Sequence, residues 1–316
     1  MSEPTLPPTP LRVAVTGASG FVGTRLVRAL VDRGHEVRGL TRSTSRDGKT
    51  EGRVAWRAYD PKVAASTARA IEGCDAVVNL AGENLFGRRW NDASMADIRS
   101  SRVEATRALV DGIGLLGTAA PKALVSASAV GYYGPLHPDA TVDETAPPGT
   151  DFLASVCEAW EREARRAESL GTRVVTARFG VVLDREAEAV RKMWVPFKLG
   201  LGGPVGRGNQ VLSWIHLHDL VALLVAMVED ARWKGPANAV TPHPVTSKQF
   251  AKALGRALGR PAFLPVPALA MRVLFGRVAS VLTTGQRVLP RTAERLAFHW
   301  RYPTIDAALE AVVRGS

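Results

Sequence analysis

Cysteine is nearly absent: Cys74 and Cys157 are the only two in 316 residues. That is too few for a disulfide framework and fits a reducing compartment. No apolar run reaches the length of a membrane span. The opening M-S-E-P-T-L-P-P-T-P lacks the basic and apolar order of a signal segment, and its prolines read as a disordered tail over 1–10. A cytoplasmic location is therefore expected. No His, Cys and carboxylate grouping has metal-ligand spacing, so no metal site is expected. Acids are also in deficit, with 30 Asp and Glu against 41 Lys and Arg and a net charge of +11. Such a balance suits nucleic acid or an acidic membrane when it is concentrated. Here the arginines are spread along the chain. The densest cluster, Arg162, Arg165 and Arg166, is interleaved with Glu161, Glu163 and Glu168, which reads as a solvated helix face. Neither nucleic acid nor membrane is expected as a partner.

What the sequence does have is V-A-V-T-G-A-S-G-F-V-G at 13–23. Val13 to Val15 read as a short buried strand, Thr16 to Gly20 as a glycine turn, and Phe21 onward as an amphipathic helix. Gly17 permits the sharp turn, Gly20 a close approach to a diphosphate, and Gly23 tight packing of helix on sheet. The helix start, with its free N–H groups and dipole, favours an anion. Thr16, Ser19 and Phe21 flank the glycines. A structural turn without ligand is the competing reading of a G-x-x-G-x-x-G spacing.

Strands and helices alternate from there. Strands are expected at 35–40, 53–58, 76–80, 123–126 and 173–177, and helices at 64–71, 94–116 and 153–169. This order predicts an α/β fold, a Rossmann-type doubly wound parallel sheet with ligand beyond the carboxyl ends of the strands. The expected divisions are the tail at 1–10, a nucleotide-binding region at 11–180, and a smaller, mostly helical substrate-side region at 181–316. After the second strand comes G-L-T-R-S. An NAD binder places an acid there; Thr41 stands in its position, with Arg42 and Ser43 next. Arg42 can pair with a 2′-phosphate, so NADP(H) is favoured over NAD(H).

The chain resembles the extended short-chain dehydrogenases of the NAD(P)-dependent epimerase/dehydratase superfamily. T-G-A-S-G-F-V-G, Asp60 after the third strand, N-L-A-G at 79–82 and S-A-S at 126–128 carry the likeness. A subgroup known only as epimerase-like adds A-G-E-N with R-R-W, I-R-S-S-R at 98–102, S-A-S-A-V-G-Y-Y-G at 126–134, and D-F-L-A-S-V-C-E-A-W-E at 151–161. It continues with R-F-G-V-V-L, L-G-L-G-G, S-W-I-H-L-H-D-L, G-Q-R-V-L-P and F-H-W-R-Y-P-T. The resemblance implies that Gly17, Gly20 and Gly23 cradle the diphosphate, Arg42 meets the adenosine phosphate, and Asp60 meets the adenine. It also implies that Ala81 and Gly82 border the ribose on the nicotinamide side, with Glu83 near it.

Active members of that superfamily use Ser or Thr, Tyr, and Lys four residues after the Tyr. A phenol of lowered pKa exchanges the proton that accompanies hydride transfer. Ser128 matches the serine. The tyrosine and lysine positions are expected at Phe152 and Val156, and no Tyr-x-x-x-Lys occurs anywhere in the chain. Tyr132 and Tyr133 are the candidate substitutes. Glu83 is a second candidate base, with loop hydrogen bonding as its plainer role, and Cys157 reads as a small buried residue.

In the second half, the glycine-rich 193–208, with Lys198 and Arg207, suits a substrate border or a lid. Asp219 reads as a first-turn acid, ahead of a catalytic role for His216. The run 269–282 reads as a helix over the cleft or a homodimer face. The expected function is an NADP(H)-dependent oxidoreductase or epimerase acting on a small anionic or nucleotide-sugar-like molecule. The alternative is an NADPH-binding sensor or scaffold without turnover.

Overall fold

The structure, a computed structural model, describes residues 9–85, 90–267 and 284–315. The expected run at 269–282, most of the expected tail, and Arg88 and Arg89 lie outside them. Eight strands form one sheet: β1 (Arg12–Thr16), β2 (Glu36–Thr41), β3 (Thr50–Glu51), β4 (Val54–Ala58), β5 (Ala76–Asn79), β6 (Ala123–Ala129), β7 (Arg173–Phe179) and β8 (Gly235–Ala239). Their order is β8-β7-β6-β5-β1-β2-β4-β3. All neighbours are parallel except the short β3, which meets β4 antiparallel. The strand order reverses beside β1, where a doubly wound sheet opens its crevice.

The helices cover both faces: α1 (Phe21–Asp32), α2 (Ala64–Ile71), α3 (Asp92–Leu115), α4 (Phe152–Arg165), α5 (Glu188–Lys198), α6 (Leu217–Glu229), α7 (Ser247–Leu258), α8 (Arg291–Arg295) and α9 (Ile305–Arg314). One core joins Leu26, Leu30, Val13 and Val15 with Leu220, Leu224 and Met227 of α6. The opposite face packs Leu40, Ile71, Val77, Leu109, Ile113 and Leu124. Strands apolar on both faces are what a parallel sheet between helix layers requires. A third cluster joins Trp214, Phe250, Leu254 and Leu309 at the carboxyl edge. Among the described residues no helix is long and apolar enough to cross a membrane, and no group of His, Cys, Asp and Glu is placed to hold a metal.

Two readings of the sequence change here. The helix expected to run to 169 ends at Arg165 and tightens into a 3₁₀ turn over Arg166–Leu170 before Gly171 in the left-handed conformation. Two of the acids on α4 are not solvated. Glu161 is 1% exposed and Glu163 7%; Arg178 and Arg107, which only the fold brings near, meet them, and Arg166 adds a local partner for Glu163.

Candidate cofactor and substrate cleft

The turn after β1 is closed by Gly20 N donating to the Gly17 carbonyl at 2.9 Å. Gly17 has φ +67°, and a Cβ at Gly23 would stand 2.1 Å from the Gly17 oxygen. Only glycine leaves room for that approach. No side chain caps α1, whose N-cap is Gly20. Its first N–H groups are thus left for an anion. A diphosphate fits this cradle on backbone geometry alone.

The cradle opens onto a cleft of about 910 Å³. Leu80 to Gly82, Ser128 to Gly131, the inner face of α4, Phe179 to Val182, Val211 to Ser213 and Gly285 form its walls. A groove of about 1370 Å³ between α1, α5 and α6 is larger, but it lacks a backbone cradle. Two of its arginines are already paired, Arg25 with Glu186 and Arg33 with Glu229.

The expected cofactor residues divide into three sets. Gly17, Gly20, Phe21, Gly23, Ala81 and Gly82 line the cleft. Arg42, Ser43 and Asp60 stand exposed outside it, beyond the paired ends of β2 and β4, where Tyr59 N donates to the Thr41 carbonyl at 2.9 Å. Ser19 is exposed on the turn. The Thr41 hydroxyl accepts from Ser43 N, and Asp60 accepts from Lys62 N. Thr16 is corrected to a structural role. It is 2% exposed, donates to Asn79 Oδ1 at 2.8 Å and accepts from the Leu80 and Ala81 amides. Glu83 holds its loop through the backbone, with its amide on Ser101 Oγ and its carbonyl accepting from Arg102. Its neighbour Asn84 lines the cleft.

The catalytic candidates rearrange more. Ser128 lines the cleft, 2% exposed, and donates to Glu161 Oε1 at 2.7 Å. Arg178 grips the same carboxylate with Nε at 2.8 Å and Nη2 at 2.9 Å. It also donates to Tyr133 Oη at 2.8 Å, which donates to Asn238 Oδ1 at 2.7 Å. Register explains the chain of contacts, since Ser128, Arg178 and Asn238 are direct neighbours across β6, β7 and β8. Tyr132 lies under the Arg178 guanidinium at 3.5 Å. Neither tyrosine lines the cleft, because the 3₁₀ turn over Val130–Tyr133 carries both into this buried network. Burial pushes the Tyr133 phenol up to about 12. The expectation that one of them faces the reacting atoms is corrected.

Of the two positions expected on α4, Val156 lines the cleft and Phe152 does not. Phe152 packs edge-on against Trp90 at 5.8 Å and does not reach the cleft. Leu153, Val156, Cys157 and Trp160 do. The groups facing inward are thus three apolar side chains and a thiol that burial pushes up to about 12. Sequence reasoning gave no role to Arg102, Trp160 or Asn238, and misplaced Glu161. The signal for three of them was membership of I-R-S-S-R and E-A-W-E, which marks a position without stating its partner. Asp219 is the expected first-turn acid of α6 and is also a clamp. Its two oxygens accept from Arg301 N and Tyr302 N, each at 2.9 Å.

Comparison with known proteins matches residues 13–240 to the NAD dependent epimerase/dehydratase family and 266–312 to a domain of unknown function, DUF1731. The epimerase family protein SDR39U1 of Bos taurus is 40% identical over 308 residues, covering 96% of this chain and all of its own. The crystal structure of human SDR39U1 (isoform 2) with NADPH superposes with a TM-score of 0.83 at 35% identity, over 97% of this chain and 100% of that one. A nucleoside-diphosphate sugar epimerase from Corynebacterium glutamicum gives 0.78 at 32%, over 97% of this chain and 59% of that one.

Proposed function

This chain belongs to the NAD-dependent epimerase/dehydratase family, and on that premise we propose that it is an NADP(H)-dependent oxidoreductase acting on a small anionic molecule. The observation that carries the reading is the backbone cradle at Gly17, Gly20 and Gly23, opening onto the cleft with α1 uncapped. The human relative with NADPH supports the choice of cofactor. Residues 11–180 hold the dinucleotide, and 181–316 complete the sheet and close the substrate side. Arg42, with no acid at Thr41, meets the 2′-phosphate, and Asp60 the adenine. Ser43, Ser19 and Phe21 complete the cofactor shell, and Ala81, Gly82 and the Glu83 loop border the ribose. When bound, the nicotinamide supplies or accepts hydride. Ser128 orients the substrate oxygen. Its own proton points to Glu161, so it presents lone pairs to the cleft.

A second reading, an NADPH-binding sensor, is favoured by the face that α4 turns to the cleft, Leu153, Val156, Cys157 and Trp160, which offers no acid/base pair. Paired NADPH and NADH titrations test the shared premise. Loss of label from 4-deuterated NADPH with cell extracts then separates the two readings. Substrate-dependent loss supports an enzyme, and a stable label across extracts supports the sensor.

A further inference from the structure

The cleft holds a cation with no anionic partner among the described residues. Arg102, on α3, lines the cleft beside Gly82, where an added Cβ would stand 3.2 Å from its Cζ. Nη2 donates to the Glu83 carbonyl at 2.8 Å and Nη1 to the Ile98 carbonyl at 3.2 Å. These carbonyls fix the plane of the guanidinium without neutralising it. Among the described residues no carboxylate forms an ion pair with it; Glu83 acts on it only at longer range. The acids bordering the cleft are engaged elsewhere, Asp151 as the α4 cap, Glu186 with Arg25 and Glu188 with Asn84. Burial draws the Arg102 pKa below the ordinary guanidinium value, the mark of a charge held against apolar walls.

The surroundings select the missing anion. Trp160 lies 5.4 Å from the Arg102 Cζ, its ring held by Nε1 donating to Thr106 Oγ1 at 2.8 Å. Leu80, Ala127, Leu153 and Val156 supply the rest of the wall. A phosphate or carboxylate carries a compact, strongly hydrated charge and needs several donors to replace its water. This end offers one guanidinium, and two of its five N–H groups are already given to the Glu83 and Ile98 carbonyls. A planar anion with its charge spread over a ring loses less hydration, stacks beside Trp160 and pairs with the weakly hydrated guanidinium. We propose that the Arg102 and Trp160 end of the cleft binds a planar enolate or phenolate, a refinement that rests on reading this cleft as the substrate site. The negative charge is then held by Arg102 without any proton being given to it.

The test is calorimetric titration of lawsone, a naphthoquinone that is an enolate at neutral pH, and of its uncharged methyl ether. Both are titrated into the full chain saturated with NADP⁺. The wild type should bind the enolate at least about tenfold more tightly than the ether, with quenching of tryptophan fluorescence. Arg102→Gln should abolish that preference and Arg102→Lys keep part of it, both with a wild-type circular dichroism spectrum. Equal binding of enolate and ether by the wild type overturns the inference and leaves the cofactor reading standing. Displacement of NADP⁺ by the enolate also overturns it, because Arg102 then serves the cofactor. Failure of NADP⁺ to bind alone overturns the cofactor reading and this inference with it.

Discussion

Glu161 and Arg178 close on each other through two parallel hydrogen bonds of 2.8 and 2.9 Å, one side chain on α4 and the other on β7, both 1% exposed. The pair joins Ser128 at the cleft to Tyr133 and Asn238 behind it. It therefore fixes the direction of the Ser128 hydroxyl while standing outside the cleft itself.

Removing one partner should cost far more than removing both. Glu161→Ala leaves a buried guanidinium unpaired and should destabilise the fold by about 3–5 kcal/mol. Glu161→Leu combined with Arg178→Met removes both charges and should cost less than either single change. Urea denaturation of Glu161→Leu, Arg178→Met and the double variant measures the difference. A double variant as unstable as the sum of its parts would show that the pair does not act as a unit.

The glycine cradle makes a graded prediction. An added Cβ at Gly23 meets the Gly17 oxygen at 2.1 Å, whereas one at Gly20 meets it at 3.1 Å. Gly23→Ala should abolish NADPH binding or prevent folding, and Gly20→Ala should fold and bind NADPH more weakly. Nucleotide fluorescence with circular dichroism distinguishes the cases. Equal affinity in Gly23→Ala and wild type would remove the cradle from the binding site.

The cradle was legible in the sequence because its cause is local. Three glycines at fixed spacing between a strand and a helix dictate a turn whatever surrounds them, and β-α alternation dictates the parallel sheet. The Ser128 surroundings were not legible, for reasons of the same physics. Glu161 has arginines beside it in the chain and reads as solvated, yet its partner Arg178 comes from a neighbouring strand. One residue along a helix is a rotation of about 100°, so Phe152 and Leu153 point to different places and spacing alone did not choose between them. Tyr132 and Tyr133 are close to Ser128 in the chain, but a single 3₁₀ turn carries them out of the cleft.

Cofactor selectivity should rest on Arg42. It is exposed, and no acid occupies Thr41, the position at which an acid would favour NADH. Arg42→Ala should weaken NADPH binding about tenfold or more, the value of one charge-assisted contact, and leave NADH nearly unchanged. The ratio of the two dissociation constants, measured at constant ionic strength, is the readout. Parallel loss for both nucleotides would place Arg42 away from the 2′-phosphate.

The acid limb of stability should carry the imprint of His216. Its Nδ1 accepts from His218 N at 3.2 Å at the start of α6, its ring faces Tyr302 at 4.1 Å, and its Nε2 is buried without a hydrogen-bond partner among the described residues. Asp219 and Asp184 favour the charged ring, while His218 and Arg301 oppose it. Burial outweighs all four and brings the pKa from 6.5 down to about 4. Between those values the unfolded chain holds a proton that the native ring refuses, so native stability rises with pH across that window. It is undiminished above 6.5, falls as the pH drops toward 4, and falls no further from this group below that. His216→Asn keeps an acceptor for the His218 amide and removes the titration. Thermal melts from pH 7 to pH 4 should therefore descend less steeply for the variant than for the wild type. Parallel descents would mean that the native ring takes up its proton as readily as the unfolded one, and that α6 starts on a histidine that is not shielded from water.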